Sequence, residues 1–205
     1  MKDDYKDFDE IVRNIFAPIY PVIAKQIVER TNIKDGICID LGTGTGALAR
    51  GIAKITNLKV YALDISEDML KLTEKYTKEE KLDGKIIPIL GDVHNMPFKD
   101  NFADLIISRG SMFFWEDKVK AFKEIYRVLK PEGMAHIGGG FGNKELKEKI
   151  FAEMRKRNPN WDNEVKSRMG NHNKELLKEI LNKAGIPNYK IINNDSGLWI
   201  LIKKE

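Results

Sequence analysis

Cysteine occurs once in this chain, at position 38, and that scarcity excludes two classes of protein. A disulfide scaffold needs pairs and a thiolate metal centre needs clusters, so neither can be built, and no metal site is expected. Cys38 sits in the apolar run Ile37-Cys38-Ile39, where a small core residue is expected rather than a nucleophile. Long hydrophobic runs are missing as well: no stretch is long enough to cross a bilayer. The opening Met1-Lys2-Asp3-Asp4-Tyr5-Lys6-Asp7 is acidic and has no signal-peptide core, so a cytoplasmic location is the default expectation. A strong charge of one sign is missing too. The net charge is +4, and Lys and Glu alternate through most helical segments, which is the pattern of a solvated face rather than of a nucleic-acid footprint. There is no repeat, linker or low-complexity segment. What remains, 205 residues with 42% hydrophobic and 32% charged, suits one α/β domain with a sizeable core.

Hydrophobic spacing orders the chain. Phe8, Ile11, Val12, Ile15, Phe16 and Ile19 recur at helical spacing; Pro18 and Pro21 are expected to break that helix, and a second, with Ile23, Ile27 and Val28 inward, runs to about Arg30. These helices can form a lid over a ligand cleft, with Tyr5 and Tyr20 as the polar aromatics in reach, or simply an outer packed pair. Apolar runs at 36–41, 59–64, 85–90, 102–108 and 133–141 read as strands. Helices are expected at 46–55, after the N-cap Ser66, and over the segment holding Val119, Phe122, Ile125, Val128 and Leu129, ending at Pro131. That alternation argues for a doubly wound parallel sheet. The tail differs. A helix near 144–154 leads into a polar stretch, 155–170; Asn173 caps a further helix ended by Gly185 and Pro187. Segments 189–193 and 198–203, joined by Asn194-Asp195-Ser196-Gly197, read as a closing hairpin.

The stretch Ile37-Cys38-Ile39-Asp40-Leu41-Gly42-Thr43-Gly44-Thr45-Gly46-Ala47 is the organising feature: a strand, a bare turn and the first turn of a helix. Such a turn binds a nucleotide-like cofactor at the carboxyl end of a parallel sheet. Asp64 ends the second strand about twenty residues after the first glycine, where a carboxylate can accept ribose hydroxyls. Gly42-x-Gly44-x-x-Ala47 with Asp64 also fits a loose dinucleotide fingerprint, so NAD is the alternative cofactor. Gly46, the further acid Asp92 and the closing hairpin weigh against it.

Taken together these motifs resemble a class I S-adenosylmethionine-dependent methyltransferase. The resemblance rests on Ile-Asp-Leu-Gly-Thr-Gly-Thr-Gly, Asp64, Gly91-Asp92-Val93 leading into Met96-Pro97-Phe98, Phe102-Ala103-Asp104-Leu105-Ile106, and Arg127-Val128-Leu129-Lys130-Pro131-Glu132-Gly133. It implies a single domain (1–34 a helical cap, 35–142 the cofactor half, 143–205 substrate-side helices and hairpin) with a seven-stranded sheet in the order 3-2-1-4-5-7-6, strand 7 antiparallel. It implies S-adenosyl-L-methionine as cofactor. Asp40 then takes the α-ammonium group or caps the helix, and Gly42, Thr43, Gly44 and Gly46 lie under the sugar and methionine. Asp64 holds the ribose. Asp92 accepts the adenine amino group, with Gly91 before it and Val93 N–H on a ring nitrogen. Ile65 and Met69 sandwich the adenine or belong to the core. Ser108 and Arg109 close the site from the loop after strand four.

That loop, Ser108-Arg109-Gly110-Ser111-Met112-Phe113-Phe114-Trp115, departs from the Asn/Asp-Pro-Pro-aromatic motif of amino methyltransferases acting on adenine or glutamine. Met112, Phe113, Phe114 and Trp115 can wall an acceptor pocket, though at least two are expected in the core. No residue is compelled to be a base. Arg109, which can bind a carboxylate or phosphate or form a surface ion pair, His94 and Tyr20 are the catalytic candidates; a solvent-facing loop is the alternative for His94. His136 is expected in the core, while His172 and Asn171 can return over the cleft. Gly138-Gly139-Gly140 either clears space for the acceptor or permits close packing. Arg155, Lys156, Arg157, Lys166, Arg168 and His172 around Trp161 could touch RNA, but Asp162 and Glu164 intervene. A small-molecule acceptor is expected first. An RNA or protein acceptor, or a cofactor-binding protein without transferase activity, are the alternatives. The oligomeric state is not fixed by the sequence.

Overall fold

The computed structural model describes residues 4–170 and 172–205, with the side chains at 4, 168 and 169 left out; the sequence-stretch residues Asn171 and, for its side chain, Arg168 lie outside the described residues. The chain opens with α1 (Asp4–Ile11), a π-helical turn (Val12–Phe16) and α2 (Ile19–Thr31). Alternation follows: β1 (Ile37–Leu41), α3 (Ala47–Ile55), β2 (Lys59–Asp64), α4 (Glu67–Glu79), β3 (Ile86–Leu90) and β4 (Ala103–Arg109). A 3-10 turn (Ser111–Phe114) precedes α5 (Lys118–Val128) and β5 (Leu129–Gly139). The tail is α6 (Lys144–Arg157), α7 (Trp161–Gly170), α8 (Lys174–Lys183), β6 (Tyr189–Asn194) and β7 (Gly197–Lys203).

The seven strands form one sheet in the order β3-β2-β1-β4-β5-β7-β6, as the family resemblance implies. The first five run parallel, and β7 pairs antiparallel with both β5 and β6. Each face carries its own core. On one, the N-terminal helices and α3 bury Ile19, Ile23, Ile27, Ala49 and Ile52 against Cys38, Val60, Leu105 and Ile107. On the other, α5 and α8 bury Phe122, Ile125, Leu177 and Leu181 against Ile39, Leu41, Ile106 and Ile137. Odd and even strand positions face opposite cores because side chains alternate with a period of two.

Three expectations are corrected. Pro21 does not interrupt α2; it stands in the first turn, where an N–H would have no intrahelical acceptor, and Pro18 serves as N-cap. The stretch 155–170 is not merely polar: α6 runs on to Arg157 and α7 is a helix whose Trp161 is buried against Phe16 and Phe151. Strand β5 begins at Leu129 rather than 133, through an irregular pairing with β4 and a positive φ of 65° at Glu132.

The Arg127-to-Gly133 motif has a structural account. Arg127 donates to the carbonyls of Phe98 and Met96 and pairs with Glu124 and Asp100. It therefore staples the irregular stretch between β3 and β4 to α5. Lys130 pairs with Asp104 at 2.8 Å, and that carboxylate also accepts the Ile37 N–H.

Candidate functional site

The carboxyl ends of β1, β2, β3 and β4 meet at one edge of the sheet. Gly42, Gly44 and Gly46 all take left-handed backbone conformations, with φ of 63°, 57° and 74°. At Gly42 and Gly46 a Cβ would also collide: with Ser111 at the first and with Thr73 of α4, at 2.8 Å, at the second. The turn is thus bare because its neighbours press on it, as well as for its torsions. Gly44 faces the ring of Phe8 on α1.

Asp64 ends β2, 9% exposed. Its Oδ2 accepts the Gly44 N–H at 2.8 Å and its Oδ1 the Ser66 N–H at 3.0 Å, so one carboxylate ties the glycine turn to the start of α4. Leu90 is its register partner on β3, and Gly91 N–H donates to the Asp64 carbonyl, which brings Asp92 to the same edge. Asp92 Oδ1 accepts both the backbone N–H of His94, at 2.8 Å, and its ring Nδ1, at 2.6 Å. Those bonds hold the carboxyl below its ordinary range. Asp117 N–H donates to His94 Nε2, which places the ring proton on Nδ1, toward Asp92. His94 is therefore neither a free base nor a loose solvent-facing ring; it fixes Asp92.

Asp40 is buried, 1% exposed, and faces the α2–α3 side with Cys38. Thr43 Oγ1 donates to its Oδ2 at 2.7 Å, and the backbone of Ala49 in the first turn of α3 also favours its charged form. Burial, with the charge of Asp64 nearby, outweighs both and raises its pKa to about 7. Arg109 extends from the end of β4 on the same face. The two line a cavity of about 40 Å³ with Tyr20, Gly42, Thr43 and Gly44, and with Phe8, Val12, Thr45 and Leu48. The Tyr20 phenol is pushed up by burial, so it stands as a proton donor rather than a base. A larger hollow of about 430 Å³, between the start of α5 and α8, shares none of these residues.

Several sequence expectations change here. Ser108 is fully buried and its hydroxyl is spent on the Leu41 carbonyl (2.9 Å) and Ser111 Oγ (2.7 Å), leaving only its backbone for a ligand. Val93 is buried in the core, while Ile65 is 73% exposed and so is not core; Met69 is half-buried. Met112 and Trp115 are core, Phe114 is exposed, and none of the aromatic run lines the small cavity. Tyr5 does not line it either. Gly138, Gly139 and Gly140 open no space: a Cβ would strike the Leu198 carbonyl, the Phe113 ring and the Ser196 carbonyl respectively. They permit close packing of β7 and of the turn after β4. His136 is buried and neutral, its pKa lowered to about 3 by burial and by Arg30, whose Nη1 meets its Nε2 at 3.0 Å. His172 lines the larger hollow rather than the small cavity, its ring 5.1 Å from that of Phe113. Sequence reading missed Phe8, Phe16, Phe141, Ser111 and Thr73, which reach the site from five separate elements or loops.

A family profile described as a methyltransferase domain matches residues 39–137. A crystal structure from Methanococcus maripaludis, named as a proposed S-adenosyl-L-methionine-dependent methyltransferase, is 48% identical, covers 98% of this chain and 91% of its own, and superposes with a TM-score of 0.94. Sterol 24-C-methyltransferase of Aspergillus fumigatus is 32% identical over 121 residues, 57% of this chain and 32% of that protein. The human mitochondrial arginine-hydroxylase is 33% identical over 112 residues, 55% of this chain and 30% of that protein. The chain thus spans about a third of the length of these curated relatives. With strand order, glycine turn and strand-end acids in place, the chain belongs to the S-adenosylmethionine-dependent methyltransferases of Rossmann-like fold.

Proposed function

We propose that this chain transfers the methyl group of S-adenosyl-L-methionine to a small-molecule acceptor by in-line displacement. The observation that carries this reading is the convergence of Asp64, Asp92 and a left-handed glycine turn on one edge of three adjacent strands. The cofactor's sulfonium supplies an already activated methyl group. The chain's part is then to bind, orient and exclude water.

Asp64, immobilised by two backbone N–H groups, presents its remaining lone pairs to the ribose hydroxyls. Asp92, fixed by His94, accepts the adenine amino group, and the Val93 N–H serves a ring nitrogen. Ile65 stands exposed at the end of β2, as a side chain does that awaits a flat apolar partner, and Met69 lies near it on α4. Asp40, a buried carboxyl with no cation on it among the described residues, suits the α-ammonium group. Holding an acceptor in line supplies about 7–11 kcal/mol of the barrier reduction without a covalent intermediate. The sterol-methylating relative supports a small acceptor. The basic tail segment does not support RNA: Arg155 pairs with Asp162, Lys156 with Glu153, and Arg157 with Asp7 and Glu10.

One relative is named for hydroxylation, so label transfer, rather than cofactor binding, is the deciding measurement. Purified protein is incubated with methyl-labelled cofactor and a cell extract. Label appearing among small molecules, and lost with Asp64→Ala, is expected. Asp64→Ala should also weaken S-adenosylhomocysteine binding about a hundredfold, the worth of two hydrogen bonds to a charged group. Cofactor bound with no label in any fraction would leave a binding protein; label in RNA or protein would move the acceptor class.

A further inference from the structure

Arg109 carries a charge that the fold leaves unanswered. Its guanidinium lies 5.0 Å from the ring centroid of Phe16, 5.6 Å from Tyr20 and 5.5 Å from Phe141. Nε and Nη2 both reach the Gly140 carbonyl only at 3.3 Å, long for hydrogen bonds. Among the described residues no carboxylate pairs with it, although Asp40 lines the same cavity. A half-buried cation of this kind ordinarily meets an anion. The indole Nε1 of Trp161 is also buried, with no acceptor among the described residues, and its ring is 6.2 Å from the same Phe16. Three aromatic faces hold the guanidinium in place by cation–π attraction and leave its outer N–H groups for a ligand.

We propose that the methyl acceptor carries a carboxylate or phosphate and that Arg109, held by Phe16, Tyr20 and Phe141, is the residue that selects it. This rests on the methyl-transfer reading. The competing source of an anion is the cofactor's own α-carboxylate. The first turn of α3 already offers that group backbone N–H donors, which leaves Arg109 for the acceptor.

The test titrates the S-adenosylhomocysteine-loaded protein with inorganic phosphate and with acetate by calorimetry, for wild type, Arg109→Met and Arg109→Lys. The expected result is anion binding by wild type, weakened at least about tenfold in Arg109→Met and less in Arg109→Lys, with S-adenosylhomocysteine affinity unchanged. In the label-transfer assay the methylated product should be retained on an anion exchanger. Absence of anion binding in wild type, equal anion binding in Arg109→Met, or a labelled product that is neutral or cationic overturns the inference. So does an Arg109→Met protein that loses S-adenosylhomocysteine but keeps methylthioadenosine, which lacks the amino-acid end; Arg109 would then read the cofactor. Arg109→Lys retains the charge and the stem, so it stands in if the Met variant fails to fold. If wild type does not bind S-adenosylhomocysteine at all, the methyl-transfer reading fails and takes this inference with it.

Discussion

At the scale of single residues, Asp40 is where environment and sequence pull hardest against each other. An aspartate placed just ahead of a glycine turn is readable as a ligand for an ammonium group, but its burial is not readable. That burial raises its pKa from 3.8 to about 7, so the folded protein binds more protons than the unfolded one across that window. The consequence for stability is a loss as pH rises from about 4 to about 7, at most about 4 kcal/mol in all. His136 acts with the opposite sign: its pKa falls to about 3, so the unfolded chain binds more protons below the ordinary histidine value and stability drops as pH falls toward 3. The two effects offset one another between about 4 and 6.5, and a wild-type pH profile alone will look flat there. Comparison with Asp40→Asn exposes the first effect. The stability of that variant relative to wild type, from urea denaturation at pH 4.5 and 7.5, should rise with pH. Its affinity for S-adenosylhomocysteine should fall and lose the gain between pH 6 and 8 that ionisation of Asp40 gives the wild type. Asp64, Asp92 and the glycines were readable because a strand, a turn and an acid at its end are local patterns. The ring of Phe16, Tyr20 and Phe141 around Arg109 was not, because it is assembled from residues over a hundred positions apart.

At the scale of elements, α1 is both cap and packed helix. Phe8 covers Gly44, the Tyr76 hydroxyl on α4 donates to Asp9 Oδ2 at 2.6 Å, and Arg157 at the end of α6 pairs with Asp7 and Glu10. The cavity beneath, about 40 Å³, is lined by the glycine turn, Asp40 and Arg109, so α1 stands as a candidate gate over that end of the site. Tyr76→Phe with Arg157→Gln removes both latches. The Arg157 pairs are exposed and worth under about 1 kcal/mol each, whereas losing the buried Tyr76 hydroxyl leaves Asp9 without that donor at about 1–3 kcal/mol, so global stability should fall by about that much. The S-adenosylhomocysteine off-rate, by stopped-flow displacement, should rise severalfold; an unchanged off-rate would show that α1 does not gate the site. The π turn between α1 and α2 is the natural hinge, since such turns interrupt the regular ladder. Elements were legible where periodicity was clean. Helix α7 was not, because its apolar contact is concentrated in Trp161 rather than spread at helical spacing.

At the scale of the whole molecule, the fold separates two tasks. The parallel strands β1 to β4 bring the glycine turn and the strand-end acids to one edge, and the antiparallel pair β6–β7 closes the sheet, pressed against the glycine seam of β5. The doubly wound sheet was legible from the alternation and the closing pair from the hairpin turn, while the order of strands came from the family resemblance. The contents of the acceptor side were not, because helices from both ends of the chain, α1–α2 and α6–α7, meet there. That meeting also has a kinetic meaning. If the contacts of Asp9, Tyr76 and Arg157 hold α1 as a gate, spent cofactor must leave through the same gate that fresh cofactor enters. The turnover number should then equal the departure rate of S-adenosylhomocysteine, and deuterating the transferred methyl should leave it unaltered in the native protein while an isotope effect emerges once the latches are cut.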